Sequence, residues 1–105
     1  VTLTADYIII ATGSVPFLPE TIPFDFKRVH DSDSILNITR FPSSIAVLGA
    51  GVIGCEYATI FSTMGCKVFL INRNDKILTF IDQEIVRHLF KSMEHDNVDL
   101  LFNKG

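Results

Sequence analysis

The sequence predicts an α/β fold, in which a parallel sheet with helices on both faces is built around a βαβαβ core. Two observations support this prediction. Three short, unbroken apolar runs, typical of strands in a parallel sheet, alternate with two longer segments of helical periodicity. A glycine-rich stretch, Gly49–Gly54, joins the first run directly to the first helical segment. Chains that alternate in this way form parallel sheets with right-handed crossovers.

Composition excludes several classes of protein. The chain has 105 residues, of which 48% are hydrophobic and 20% charged, as in an ordinary globular domain. A net charge of -3 with scattered basic residues argues against a nucleic-acid partner. No apolar run reaches the roughly 20 residues that a membrane-spanning helix needs. The two cysteines, Cys55 and Cys66, lack the spacing of a metal or redox motif, so we predict no metal site and a reducing, cytoplasmic location.

The N-terminal segment is predicted to lie outside the alternating core. The apolar run Tyr7–Ala11, ended by Thr12–Ser14, predicts a buried strand and a turn over residues 1–14. Residues 15–42 are predicted to form a connector, because their prolines favour extended backbone. Polar side chains at 31–34 can cap a short helix within this connector.

The core is predicted from residue 43 onward. Its strands are expected at Ile45–Leu48, Val68–Ile71 and Val98–Phe102. The first helix is expected from Val52 to Met64, where Gly65 can end it. The apolar residues at helical spacing, expected to form its buried face, are Ile53, Tyr57, Ile60, Phe61 and Met64.

A second helix is predicted to follow Asp82. The Asp82 side chain can cap the first turn, and Glu84 is favourably placed near the positive end of the helix dipole. The residues expected on its buried face are Ile85, Val86, Leu89, Phe90 and Met93. The chain begins at Val1 without Met and ends at Gly105 in mid-pattern, so we expect it to be a piece of a longer protein.

The glycine motif is predicted to be a Rossmann-like dinucleotide site, because it follows a strand and opens a helix. Gly49 allows the tight turn, Gly51 lets the backbone approach a pyrophosphate, and Gly54 allows close helix packing. The N–H groups of the first helical turn, including those of Val52 and Ile53, can bind the phosphates. A glycine-rich turn without a ligand is the alternative, and the flanking pattern argues against it.

Selectivity is expected at the end of the second strand, where an acidic residue favours NAD and an arginine favours NADP. The sequence has Asn72 and Arg73 there, which predicts a site that accepts both NAD and NADP. Arg73 could instead be a solvated loop charge. Glu56, two residues past Gly54, could face the ligand or be a surface charge.

The turn Ala11–Ser14, followed later by the glycine motif, resembles the pyridine nucleotide–disulfide oxidoreductase family over nearly the whole chain. This resemblance implies that residues 1–14 end an FAD-binding region. Residues 43–105 would be an NAD(P)-binding domain, truncated at its C-terminal end, of a larger two-nucleotide-domain flavoprotein. Further matches point to the transhydrogenase branch of the family, and they are Asp31–Leu36, Gly49–Ala58, Leu70–Asn72 and Phe80–Glu84.

The same resemblance implies an activity and roles for individual residues. The full-length protein, expected to be a homo-oligomer, would move a hydride from NADPH through bound FAD to NAD, and the fragment alone would be inactive. Glu56 matches a glutamate near the nicotinamide, and Thr12 and Gly13 match residues that approach the FAD. Nicotinamide dinucleotides would be its partners.

Two other functions stay open. The first is a dihydrolipoamide dehydrogenase or another disulfide reductase of the same family. Lipoamide dehydrogenases usually have Glu at the position of Asn72, and glutathione reductases have two arginines, of which Arg73 matches the first while Thr79 replaces the second. The other is a non-catalytic NAD(P)-sensing module, which the flavin-contacting segment argues against.

Overall fold

The computed structural model describes residues 1–104 and divides the chain into two compact units, Val1–Ile38 and a second unit that begins at Thr39. The second unit contains all the strands and α-helices of the part described. In chain order they are β1 (Ser44–Leu48), α1 (Val52–Thr63), β2 (Lys67–Ile71), α2 (Gln83–His95) and β3 (Val98–Leu101). The strands form one parallel sheet in the order β1-β2-β3. The predicted α/β class, with a Rossmann-like βαβαβ core, is confirmed.

The N-terminal unit lacks the strand predicted at Tyr7–Ala11. The side chains of Tyr7 to Ile10 are 80–92% exposed, and the segment has no backbone partner within residues 1–104. A strand exists only as a member of a hydrogen-bonded pair, and an apolar run cannot create the partner. The strand prediction is therefore wrong for this structure.

The short helix predicted in the connector is confirmed as a 3-10 helix at Ser34–Asn37. Asp31 stabilises the first turn of this helix. The Asp31 Oδ1 accepts hydrogen bonds from the N–H groups of Ser34 at 2.7 Å and Asp33 at 3.2 Å. These bonds stabilise the carboxylate, and the Ser34 N–H contributes most to holding the pKa of Asp31 below its usual value.

The sheet buries one of its two faces. Its register aligns Ile45 with Val68 and Val68 with Val98, and on this face Val68, Leu70 and Val98 are almost completely buried. Positions on the opposite face are half-buried or exposed, with Leu48 60% exposed. Helices were predicted on both faces. The structure differs within residues 1–104, because right-handed crossovers between strands added in order place both helices on the same side.

Helix α1 buries a different stripe from the one predicted. Its buried residues are Cys55, Ala58, Phe61 and Ser62. Of the predicted face only Phe61 is fully buried, whereas Ile53, Ile60 and Met64 are 51–62% exposed. The helix is apolar around most of its circumference, so spacing alone does not select a face. Small residues select it instead, because they let the helix approach the sheet closely.

The end of α1 and the start of α2 follow the predicted signals. Gly65, with φ of +89°, follows α1, and its N–H donates to the Ser62 carbonyl at 2.9 Å. Asp82 caps α2 by accepting from the Glu84 N–H at 2.7 Å. The predicted buried face of α2 is confirmed at Val86 and Met93, whereas Ile85 is 61% exposed.

Candidate functional site

The glycine loop turns sharply between β1 and α1. Gly49 has φ of +99°, a conformation that only glycine adopts readily, and its N–H donates to the Ile71 carbonyl at 2.8 Å. Helix α1 then returns against this turn. A Cβ at Gly54 would collide with the carbonyl oxygen of Gly49 and lie 3.1 Å from its carbonyl carbon. Glycine at positions 49 and 54 is therefore required by the folded backbone itself.

Gly51 is different, because the folded protein gives no reason for it to be glycine. Its φ of -79° and ψ of -175° are accessible to any residue, and a Cβ there would meet no atom of the described chain within 4 Å apart from its two chain neighbours. The missing side chain leaves open space outside the loop. The space lies at the N-terminus of α1, where Gly51 is the N-cap residue.

The N-terminus of α1 is not capped by a side chain, whereas Asp82 caps α2. The first N–H groups of an α-helix have no intrahelical acceptor, and here they include those of Val52 and Ile53. Together with the partial positive charge of the helix end, they make this position suited to an anion.

Asn72 follows β2 directly and contacts the glycine loop. Its Oδ1 accepts from the Ala50 N–H at 3.1 Å, and its Nδ2 donates to the Asn74 carbonyl at 2.8 Å. Its backbone N–H donates to the Leu101 carbonyl, and its carbonyl accepts from the Lys104 N–H. Sequence analysis placed Asn72 beside the ribose but missed its contact with Ala50. No sequence pattern signals a bond between residues 22 positions apart.

Arg73 and Glu56 are both exposed. Arg73 lies one residue past Asn72, the residue that contacts the glycine loop. Glu56 lies in the second turn of α1 and lines an apolar cavity of about 500 Å³ that the glycines and Asn72 do not line. The other lining residues of the cavity are Val52, Cys55, Thr59, Ile60, Leu78, Ile81 and Leu89.

Both cysteines are buried, and neither forms a disulfide. Burial raises the pKa of the Cys55 thiol, with a smaller contribution from the charge of Glu56, and burial alone raises that of Cys66. Both thiols are therefore protonated at neutral pH. Within residues 1–104, no three His, Cys, Asp or Glu side chains group so that they could hold a metal ion. In that same range every helix is too short or too polar to cross a bilayer.

Thr12 and Gly13 lie in the N-terminal unit. Both are exposed. Gly13 has φ of +79°, and a Cβ placed there would meet no atom of the described chain within 4 Å apart from its two chain neighbours. Gly13 therefore has the left-handed backbone that glycine favours, in an exposed segment to which no turn is assigned.

The amino-acid sequence of the chain is similar to that of known bacterial enzymes. The chain is 46% identical over 102 residues to the soluble pyridine nucleotide transhydrogenase of Pseudomonas syringae pv. tomato, and the match covers 97% of this chain and 22% of the relative. It is 56% identical over 86 residues to the enzyme of the same name from Hamiltonella defensa, covering 80% of this chain and 18% of the relative. The chain therefore spans about a fifth of the length of these relatives.

Solved structures show the same fold. The HOCl-induced flavoprotein disulfide reductase of Escherichia coli superposes with a TM-score of 0.81 at 29% identity, over 90% of this chain and 22% of that one. An engineered water-forming NADPH oxidase bound to NADPH gives a TM-score of 0.72 at 25% identity, over 90% of this chain and 22% of that one. The family model described as "Pyridine nucleotide-disulphide oxidoreductase" matches residues 1–105. The chain therefore belongs to the pyridine nucleotide-disulphide oxidoreductase family.

Proposed function

We propose that residues 43–105 are the NAD(P)-binding domain of an FAD-dependent soluble transhydrogenase, which transfers a hydride from NADPH through FAD to NAD. The observation that carries the proposal is the contrast between Gly51 and the other two motif glycines. Gly49 and Gly54 are required by the backbone, whereas nothing in the described protein requires Gly51. A ligand that must approach the backbone closely would explain why residue 51 is glycine.

The ligand that fits this position is a dinucleotide. Its pyrophosphate would lie against Gly51 and accept hydrogen bonds from the free N–H groups of Val52 and Ile53. The adenosine ribose would then reach the end of β2, close to Asn72 and Arg73. The engineered oxidase that superposes on the chain was solved with NADPH bound, which supports this class of ligand.

The N-terminal unit supports a flavin as the second cofactor. The segment at Thr12 and Gly13 is exposed, so a large planar cofactor can approach its backbone. When bound, the flavin supplies the hydride-accepting and hydride-donating chemistry. Residues 1–14 would contribute one edge of its site, and Glu56 would lie near the nicotinamide. A homo-oligomeric assembly and a cytoplasmic location stay predictions.

A disulfide reductase is the second candidate, because the E. coli flavoprotein with a TM-score of 0.81 has that activity in its name. A hydride-transfer assay separates the two. We expect the full-length protein to reduce a thionicotinamide analogue of NAD with NADPH when no disulfide substrate is added. We expect residues 1–105 alone to show no turnover. NADPH oxidation that requires a disulfide substrate would instead favour the reductase.

Cofactor selectivity should respond to changes at the end of β2. We expect Asn72→Glu combined with Arg73→Ala to shift the NADP/NAD affinity ratio towards NAD by about tenfold. Removal of Arg73 deletes a charge-assisted pair with the 2′-phosphate, worth about 1 kcal/mol at an exposed position. The new carboxylate repels that phosphate and accepts bonds from the NAD ribose.

The measurement is calorimetry of both nucleotides at fixed ionic strength, because salt screens this contact. The ratio is the informative quantity, since a general disturbance of the site weakens both cofactors alike. Arg87→Ala, which removes an exposed arginine from α2, is the matched control. A ratio within about twofold of the unchanged protein would place the ribose away from these residues.

A further inference from the structure

Both polar atoms of the Asn72 side chain are engaged by hydrogen bonds to the protein itself. Its Oδ1 is bonded to the Ala50 N–H and its Nδ2 to the Asn74 carbonyl, and these two partners together fix the orientation of the amide. The backbone N–H and carbonyl of Asn72 are bonded to the β3 end as well. Four hydrogen bonds to the protein, two from the side chain and two from the backbone, therefore fix a residue that was expected to face the ribose.

The contact with Ala50 falls inside the glycine motif. Ala50 is 1% exposed and lies between Gly49 and Gly51, so its N–H has no access to water and needs a partner. The Asn72 carbonyl oxygen is that partner. Because Ala50 lies between two glycines, its peptide groups could adopt several backbone conformations at low cost. The hydrogen bond from its N–H to Asn72 restricts them to one.

We propose that Asn72 is a positioning residue: it fixes the glycine loop through Ala50 so that the N–H groups at the start of α1 face the pyrophosphate. The inference rests on the proposed dinucleotide site, and it goes further by separating two roles at the end of β2. Asn72 acts on the loop, and therefore on both cofactors equally. The exposed Arg73 then discriminates between NADP and NAD, by contact with the 2′-phosphate of the adenosine ribose.

The test compares ligands with and without the ribose hydroxyls. Affinity for NAD, and for the NAD analogue that lacks both hydroxyls of the adenosine ribose, is measured by calorimetry in the intact protein. Asn72→Ala removes both side-chain bonds, and Asn72→Asp keeps an oxygen for the Ala50 N–H. Asn74→Ala is the matched control, because Asn72 contacts only the backbone carbonyl of Asn74. Hydrogen exchange of the peptide that contains Ala50 reports on the loop without any ligand.

We expect Asn72→Ala to weaken NAD and the analogue by the same factor, on the order of tenfold, and to speed exchange at Ala50. Asn72→Asp should bind NAD within about threefold of the unchanged protein, and Asn74→Ala should change neither measurement. If Asn72→Ala does not fold, Asn72→Ser, whose hydroxyl is too short to replace the amide, takes its place.

Loss of NAD affinity with no loss for the analogue would overturn the inference, since Asn72 would then act on the ribose. Unchanged exchange at Ala50 in Asn72→Ala would also overturn it. Failure of the proposed function looks different: the unchanged protein would bind neither ligand, while the exchange measurement would still report whether Asn72 holds the loop.

Discussion

Gly51→Asp is expected to abolish NAD(P) binding while the fold survives. Apart from its two chain neighbours, a Cβ at this position meets no atom of the described chain within 4 Å, and its φ of -79° is accessible to any residue. Asp is also a favourable N-cap residue, so α1 should form normally. The new carboxylate would occupy the space proposed for the pyrophosphate and repel it by up to about 4 kcal/mol at 4 Å. The affinity should fall by at least about a hundredfold.

Calorimetry with NAD and NADP measures this loss, and thermal unfolding shows that the variant is folded. Gly51→Asn is the matched control, because it fills the same space without the charge. We expect it to bind more weakly than the unchanged protein and more tightly than the Asp variant. A folded Gly51→Asp protein with unchanged affinity would contradict the assignment of the site to the glycine loop.

Gly54→Ala should have the opposite profile and damage the fold itself. The added Cβ would collide with the Gly49 carbonyl oxygen, which belongs to the backbone and cannot rotate away. Overpacking usually costs about 1–3 kcal/mol, and a collision with backbone belongs at the upper end. The gain of up to about 1 kcal/mol in helix propensity from Gly to Ala does not offset it.

Chemical denaturation of the Gly54→Ala protein measures the free energy of unfolding, with Gly51→Ala as the matched control. The control adds the same methyl group three residues earlier, where it has open space, and should unfold at nearly the same denaturant concentration. Equal or greater stability of Gly54→Ala would show that α1 does not pack against the turn as described.

The sequence was sufficient to predict the core elements, because apolar strand patterns alternate with helical patterns and two helix ends carry local signals. All three strands lie within two residues of their predicted bounds. Asp82 and Gly65 set the ends of the helices at which they were expected. Such signals are local: a cap or a glycine acts on the turn beside it, so the residues alone contain the information.

What the sequence did not predict depends on distant partners. Tyr7–Ala11 has the pattern of a strand, but pairing requires a second segment that the run itself does not specify. The buried stripe of α1 depends on how closely small side chains let the helix approach the sheet, which apolar spacing does not encode. The bond from Asn72 to Ala50 joins two loops that only the assembled sheet brings together.

The two buried thiols make the opening of this fold chemically measurable. A thiol reagent attacks the thiolate, and burial both raises the pKa of Cys55 and Cys66 and keeps the reagent out. Alkylation therefore requires local opening of the chain, and the alkylation rate reports how often each region opens. Cys55 lies in α1 beside Gly54, and Cys66 lies just before β2, so peptide mapping of the label distinguishes opening of the helix from opening of the sheet. The chain thus contains two probes of local stability, one in the first turn of α1 and one just before β2.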